Sequence, residues 1–182
     1  NLYYMDYDNQ LVKTGQINDN YDALNINVPD SYRRGIELSL TVRPLKWFSL
    51  SGNATFSQNR IENYVNKVID YGTWNDATNF YDYAVTEMGT TTISYSPSVI
   101  AGTIFDFHIA GFEAVLHTQY VGDQYFTNYE NPNMKLDAYC VTNLNLGYTF
   151  RTRSAKSVRL GVAVYNLFNA EYCSNGYGYS EA

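Results

Sequence analysis

The sequence predicts an all-β fold: an antiparallel, up-and-down transmembrane β-barrel segment, part of a larger barrel, with about seven strands present. Three observations lead there. Polar and apolar residues alternate along stretches such as Ile36-Glu37-Leu38-Ser39-Leu40-Thr41-Val42, and in a strand successive side chains point to opposite faces. The stretches meet or exceed the ~9–11 residues that a tilted strand needs to cross a bilayer. Their connections alternate between very short turns and long polar loops, which is how outer-membrane barrels are joined.

The strands are expected at Leu2–Lys13, Tyr32–Arg43, Trp47–Arg60, Thr92–Phe107, Phe112–Phe126, Leu136–Phe150 and Ser157–Asn169. The first opens on the strand-like run Leu2-Tyr3-Tyr4. The second runs into the turn Arg43-Pro44-Leu45-Lys46, and the third returns with Phe48, Leu50, Ala54 and Phe56 on one face. Val99, Ala101, Phe105 and Phe107 continue that face, followed by Phe112, Ala114, Leu116 and Tyr120. It closes with Leu144, Leu146, Tyr148 and Phe150 opposite Val158, Leu160, Val162, Val164 and Phe168. These rows hold no charge, and a Lys or Arg at the bilayer midplane costs ~2–4 kcal/mol. The other face carries Glu37, Ser39, Asn53, His117, Gln119, Asn143, Asn145 and Arg159. A soluble sandwich also alternates, but it would need a cover for so wide an apolar face, and no helix-period segment offers one.

Connections Arg43–Lys46, His108–Gly111 and Arg151–Lys156 are short; Gly15–Ser31, Ile61–Thr91 and Thr127–Lys135 are long and polar. By the outer-membrane convention the short turns are periplasmic and the long loops extracellular. The stretch Ile61–Thr91 exceeds the length of most passive loops, so it is expected to be functional or disordered.

Composition sets the outer bounds. The 182 residues include 19 Tyr, 9 Phe and 2 Trp, and aromatic residues with one wet end suit lipid–water boundaries. A net charge of −6 argues against a nucleic-acid partner, which needs a basic footprint. No apolar run approaches the ~20 residues of a spanning helix. The chain starts at Asn1 without Met, so it is expected to begin within a longer protein, and a missing leader carries no information. Cys140 and Cys173 are expected to sit too far apart along their hairpin for a disulfide.

Chemistry-bearing groupings are sparse. His117 and Glu113 share a face, but four residues of strand separate them by ~13 Å. No catalytic group, cofactor or metal site is predicted, and the chain does not read as an enzyme. Tyr7-Asp8-Asn9-Gln10 and Asp19-Asn20-Tyr21-Asp22 are dense in oxygen ligands yet lack the ordered spacing of a calcium loop, so solvated turns are expected. Ligand-binding candidates lie in the long loops: Tyr71, Trp74, Tyr81 and Tyr83, with Phe80 beside them, and Tyr125 and Tyr129. Exposed aromatics grip planar or apolar ligands; packing within the loops, or a place in the aromatic girdle, is the alternative.

Several segments resemble one family. Asn27-Val28-Pro29, Ser31-Tyr32-Arg33-Arg34-Gly35-Ile36-Glu37-Leu38 and the following Pro44, Trp47, Leu50-Ser51, Asn53-Ala54, Phe56-Ser57 and Ile61 look like barrel strands of TonB-dependent outer-membrane receptors. Ser96-Pro97-Ser98 and Leu136-Asp137-Ala138-Tyr139 are similar to recurrent strand beginnings of that family. Val164-Tyr165-Asn166-Leu167-Phe168-Asn169-Ala170-Glu171-Tyr172 resembles its near-terminal N-L-F-N-x-x-Y segment. The resemblance implies that residues 1–182 are a partial outer-membrane β-barrel domain of a Gram-negative cell. The plug domain and the final strand would lie outside a chain that stops at Ser180-Glu181-Ala182. It further implies active import of a scarce solute such as a ferric siderophore, haem or cobalamin. The implied partners are the TonB complex, acting through an N-terminal region outside this chain, the small solute or metal chelate, and outer-membrane lipid. If a plug fills the barrel, Glu37, Asn53, His117, Gln119, Asn143, Asn145 and Arg159 would face it. A passive porin, a secretion barrel or an adhesin-type barrel is the alternative, with an outer-membrane hydrolase further off.

Overall fold

A computed structural model describes residues 1–18 and 20–178. Asp19 and the terminal Ser180-Glu181-Ala182, both part of the expectations above, lie outside them. Ten strands form: β1 Leu2–Ile17, β2 Ala23–Leu45, β3 Phe48–Asn75, β4 Phe80–Thr92, β5 Val99–Ile109, β6 Phe112–Val121, β7 Gln124–Tyr125, β8 Lys135–Leu136, β9 Tyr139–Phe150 and β10 Val158–Val164. A 3-10 turn at Pro132–Met134 is capped by the Asn131 side chain, which accepts from the Asn133 N–H. One eight-stranded antiparallel sheet runs in the order β1-β2-β3-β5-β6-β9-β10, with β4 also paired to β3. The seven strands on this path are the seven that the sequence predicts.

Register ties the alternation into two continuous faces. Ile36 pairs with Phe56 and Phe56 with Val99; Leu38 pairs with Ala54, Ala54 with Ala101, and Ala101 with Tyr120. The apolar rows continue through the pairs Leu116–Leu144 and Leu144–Val164, then Phe112–Tyr148 and Tyr148–Leu160. Directly opposed residues project from the same face, so these rows form one apolar surface. It stays open: Leu40 is 66% exposed and Leu160 62%. An apolar face that the described chain leaves uncovered across a whole sheet suits hydrocarbon rather than water.

β1, β2 and β3 are longer than a bilayer needs, which corrects two predicted loops. At ~3.3 Å per residue, the 28 residues of β3 far outreach the ~25 Å apolar band of a membrane barrel. Ile61–Thr91 is therefore not a long loop but the upper half of β3, a four-residue turn and β4. Gly15–Ser31 likewise holds the ends of β1 and β2, joined by a turn in which the Tyr21 N–H donates to the Asn18 carbonyl. Within that turn Asn18 Oδ1 accepts the Asn20 and Asp22 N–H groups. Strands standing in water on both sides lose the alternation that marks the wall, so composition reads them as loop. Boundaries also move. The stretch from Ile93 to Ser98 is irregular, so β5 starts at Val99 rather than Thr92, and β6 stops at Val121. The strand expected to begin at Leu136 begins at Tyr139 as β9, and β10 ends at Val164 rather than Asn169.

Local chemistry explains the ends. Ala110 and Gly111 both have positive φ, 51° and 85°, as a two-residue hairpin turn of the primed type requires. A Cβ on Gly111 would also lie 2.4 Å from the Thr149 carbonyl oxygen, so glycine is needed twice over. After β10, Asn166 turns the chain with φ 51°, and its side chain accepts from the Ala170 N–H and donates to the Ala170 carbonyl. The N-L-F-N segment thus acts as a turn lock, held to β9 by Asn166 N–H to Asn143 Oδ1, with Tyr172 stacked on Tyr139 at 4.5 Å. Cys140 and Cys173 are both free and exposed.

The buried core sits at the end opposite the short turns. Val12, Val28, Ile61, Tyr64 and Ile93 pack together, with Tyr129 against them. Asn63, at φ 50°, falls in a register break between Ile61 and Tyr64, which lets both side chains enter the same cluster. Asn128, wholly buried, pins the connection between β7 and β8 there. Its Nδ2 donates to the Lys13 carbonyl at 2.7 Å and its Oδ1 accepts the Ser94 N–H at 2.9 Å. A second tie is Glu130: its Oε1 accepts from Arg60 Nη1 at 2.5 Å and from Thr92 Oγ1 at 2.6 Å. Those contacts, Thr92 first and then Arg60, hold the Glu130 carboxyl below the usual range.

Three outcomes follow from this arrangement. Leu40→Arg should cut the fraction of protein reaching the heat-modifiable barrel form on gels, whereas Ser39→Arg should be tolerated better; equal effects would overturn the assignment of faces. Asn128→Ala leaves the buried Ser94 N–H unpaired, at about 1–3 kcal/mol, and takes from the Lys13 carbonyl one of its two hydrogen bonds, the other coming from Ser94 Oγ. Limited proteolysis between Phe126 and Met134 should then speed up by at least about tenfold. Because the folded Glu130 carboxyl titrates below its ordinary value, its tie is intact above that value and lost as pH falls through the lowered one. Cleavage of the same connection should therefore rise below about pH 4, and Glu130→Gln should raise it at neutral pH while flattening the acid dependence.

Candidate functional site

The β3–β4 hairpin carries an aromatic group at its tip. Its turn, residues 76–79, is held by Asn75, whose Oδ1 accepts the Ala77 N–H and whose Nδ2 donates to Asp82 Oδ1 at 2.8 Å. Below it the β3–β4 register breaks between Ile69 and Trp74. Asp70 organises that break: one carboxylate oxygen accepts from Thr73 Oγ1 at 2.7 Å, the other from the Gly72 N–H at 2.9 Å. Both bonds, Thr73 the stronger, lower the Asp70 pKa.

Tyr81 is the hub of the rings. Tyr71 and Trp74 each meet it edge-on at 5.1 Å, and Phe80 does so at 6.1 Å. Trp74 Nε1 donates to Asp76 Oδ1 at 2.9 Å, which fixes the indole. Tyr71 and Trp74 remain more than half exposed, at 58% and 51%. Edge-to-face rings held by hydrogen bonds around them form a pre-ordered apolar surface with polar rims.

The six predicted ligand residues therefore do not make one site. Tyr71, Trp74 and Tyr81 come together. Tyr83 lies opposite Ile69 lower on the hairpin, and among the described residues no ring contact joins it to the group. Tyr129 packs against the buried cluster and donates to Met134 Sδ at 3.3 Å, with burial raising its pKa. Its environment is that of a packing residue. Tyr125 sits in β7, beside the divergence of β3 and β5.

The predicted inner-face residues do share a face. Asn53 pairs with Gly102 and Gly102 with Gln119, and one row further along His117 pairs with Asn143. Asn145 follows opposite Val115, Arg159 opposite Thr149, and Glu37 opposite Thr55. Sequence reasoning missed the ion pair of this face, Glu113 with Arg159. It joins β6 to β10 across β9, passing over Gly147, where a Cβ would lie 3.2 Å from both charged groups. Register was the usable signal, since Glu113 pairs with Gly147 and Gly147 with Gly161. Among the described residues no group of His, Cys, Asp or Glu is arranged to hold a metal ion.

Comparison with known proteins agrees with this architecture. The family described as TonB dependent receptor-like, beta-barrel, matches residues 1–167. No curated protein matches the chain significantly. Among solved structures, the ferric yersiniabactin uptake receptor FyuA from Yersinia pestis is 16% identical with a TM-score of 0.63, over 100% of this chain and 23% of that one. The ferric-catecholate import receptor Fiu from E. coli K12 is 18% identical with a TM-score of 0.59, over 95% of this chain and 21% of that one. A mutant of the ferric enterobactin receptor PfeA from Pseudomonas aeruginosa, in complex with enterobactin, is 18% identical with a TM-score of 0.54, over 98% of this chain and 25% of that one. At these identities the likeness is one of fold, and the chain spans about a quarter or less of each neighbour. With the family matched over nearly its whole length and the fold shared with receptor barrels, this chain belongs to the TonB-dependent receptors, as a segment of their β-barrel.

Proposed function

We propose that the chain is part of the wall of an outer-membrane active-transport receptor of a Gram-negative cell. The observation that carries this reading is the pairing of one continuous, uncovered apolar face with a polar, charge-bearing face on the same strands. Lipid would bathe the first. A plug supplied by other parts of the receptor would meet the second at Glu37, Asn53, His117, Gln119, Asn143, Asn145 and Arg159. The short turns would then be periplasmic and the β3–β4 hairpin would stand outside the cell.

The solute would be scarce and bulky, such as a ferric siderophore, haem or cobalamin; the neighbours named for ferric-chelate uptake support that class. Import would draw its energy from the TonB complex through a region outside this chain. The exposed rings of Tyr71, Trp74 and Tyr81 are the part of the chain best placed to make first contact with the solute.

Replacing Trp74 and Tyr81 together with Ala should weaken binding of the transported solute by about tenfold or more, while the receptor still assembles and stays heat-modifiable. Unchanged affinity would assign the rings to packing within the hairpin.

A further inference from the structure

The three short turns of the wall step down in register. At the first, Leu45 pairs with Phe48, and Phe48 pairs across to Phe107, two residues short of Ile109–Phe112, the closing pair of the second turn. Phe112 in turn pairs with Tyr148, two residues short of Phe150–Val158, which closes the third. Each turn thus lies about 7 Å further along the strands for about 10 Å across them. A strand tilt of about 35° cancels that step, and membrane-barrel strands tilt by ~35–45°. Tilted so, the three turns stand in one plane across the barrel axis.

That plane is basic. Arg43 and Lys46 belong to the first turn, and Arg151, Arg153 and Lys156 to the third. Neither turn contains an Asp or Glu, although the chain as a whole carries a net charge of −6. All five cations are exposed, and among the described residues none has a carboxylate at ion-pair distance. The carboxylates nearest in register are already committed, Asp106 to His108 and Glu113 to Arg159. A notch of about 210 Å³ opens at Arg43 and Lys46, lined also by Trp47 and Phe48. Rings gather one step inside the turns: Phe107 stacks with Phe48 at 4.7 Å and with Trp47 at 6.2 Å, and Tyr148 stacks with Phe150 at 6.0 Å. Aromatic residues collect where hydrocarbon meets headgroups, which puts the cations just beyond them at headgroup level.

We propose that the short-turn end of this wall docks anionic phospholipid headgroups, with Arg43 and Lys46 receiving one phosphate at the notch and Arg151, Arg153 and Lys156 a second. Unpaired cations at a membrane surface are drawn to lipids of net negative charge, and a guanidinium meets phosphate oxygens as a two-pronged donor. A zwitterionic headgroup carries its own ammonium beside the phosphate, so it offers the same acceptors without the net attraction. The inference rests on the reading of the apolar face as bathed in lipid, and adds to it the class of lipid and the turns that select it.

The test is native mass spectrometry of the intact receptor in detergent, titrated with phosphatidylglycerol and with phosphatidylethanolamine of the same acyl chains. Phosphatidylglycerol should bind about tenfold tighter, and the preference should shrink as ammonium acetate is raised. Arg43→Gln with Lys46→Gln, and separately Arg151→Gln with Arg153→Gln and Lys156→Gln, should each reduce the preference; all five together should bring the two lipids within about twofold of each other. Lys67→Gln, in β3 away from the turns, should leave it intact. Should the five-residue variant miss the heat-modifiable form, the two smaller variants decide. Equal affinity for the two lipids, or a preference that survives the assembled turn variants, would overturn the proposal. So would displacement of the lipid by equimolar glycerol phosphate, which would assign the turns to a soluble anion, or by a poly-glutamate peptide, which would assign them to an acidic protein. A heat-modifiable receptor without the preference overturns this inference alone; a receptor that stays dissolved without detergent overturns the lipid-bathed wall and this inference with it.

Discussion

A wall with a wet side and an oily side has to keep every strand in one register, because a slip of one residue would exchange the two faces of that strand. The rest of this structure depends on that constraint. The apolar row from Leu38 through Ala54 and Ala101 to Tyr120 lines up only because four successive strands pair without a shift across the midsection. The same register delivers Asn53, His117, Asn143 and Arg159 to the other face, and it lets Glu113 reach Arg159 over a glycine.

Beyond the apolar band the constraint relaxes, and the chain uses the freedom. Irregularities accumulate at that end: Asn63 re-aims Tyr64 into the core, and the break between Ile69 and Trp74 brings the rings around Tyr81. β5 parts from β3, and β4 takes up β3's free edge higher on. Buried side chains then hold the strands together where the open apolar face ends. The cluster around Ile61 and the carboxamide of Asn128 hold the mouth-side connections onto the sheet. The lower part is thus ordered by register and the upper part by local packing, and the ring group around Tyr81 arises in the second region.

The contrast between the two aromatic sets shows how exposure alone misleads. Tyr129 and Trp74 lie in stretches of similar composition, dense in Asn, Asp and Tyr. Trp74 ends on a hairpin tip with its indole nitrogen bound to Asp76, half its surface open. Tyr129 folds back onto Val12, Val28 and Ile61. Nothing local separates them; what does is whether the backbone around each continues as a strand into water or returns to the sheet.

The sequence by itself determined the wall: seven of the strands, their two faces, the short turns, and through the N-L-F-N and strand-opening segments the family. These are legible because a period of two is a local property, and a sheet with one apolar and one polar face repeats it residue by residue. It also pointed to Tyr71, Trp74 and Tyr81 through their density in one stretch. The tertiary structure alone decided that Ile61–Thr91 is a hairpin, that Tyr129 is a packing residue, and that Glu113 pairs with Arg159 across β9. Each of those depends on partners far away in the chain, as with Arg60 and Glu130, 70 residues apart, or Lys13 and Asn128, 115 apart. Contacts at such separations leave no periodic trace, because closing a long segment onto a distant strand constrains only the few residues that touch.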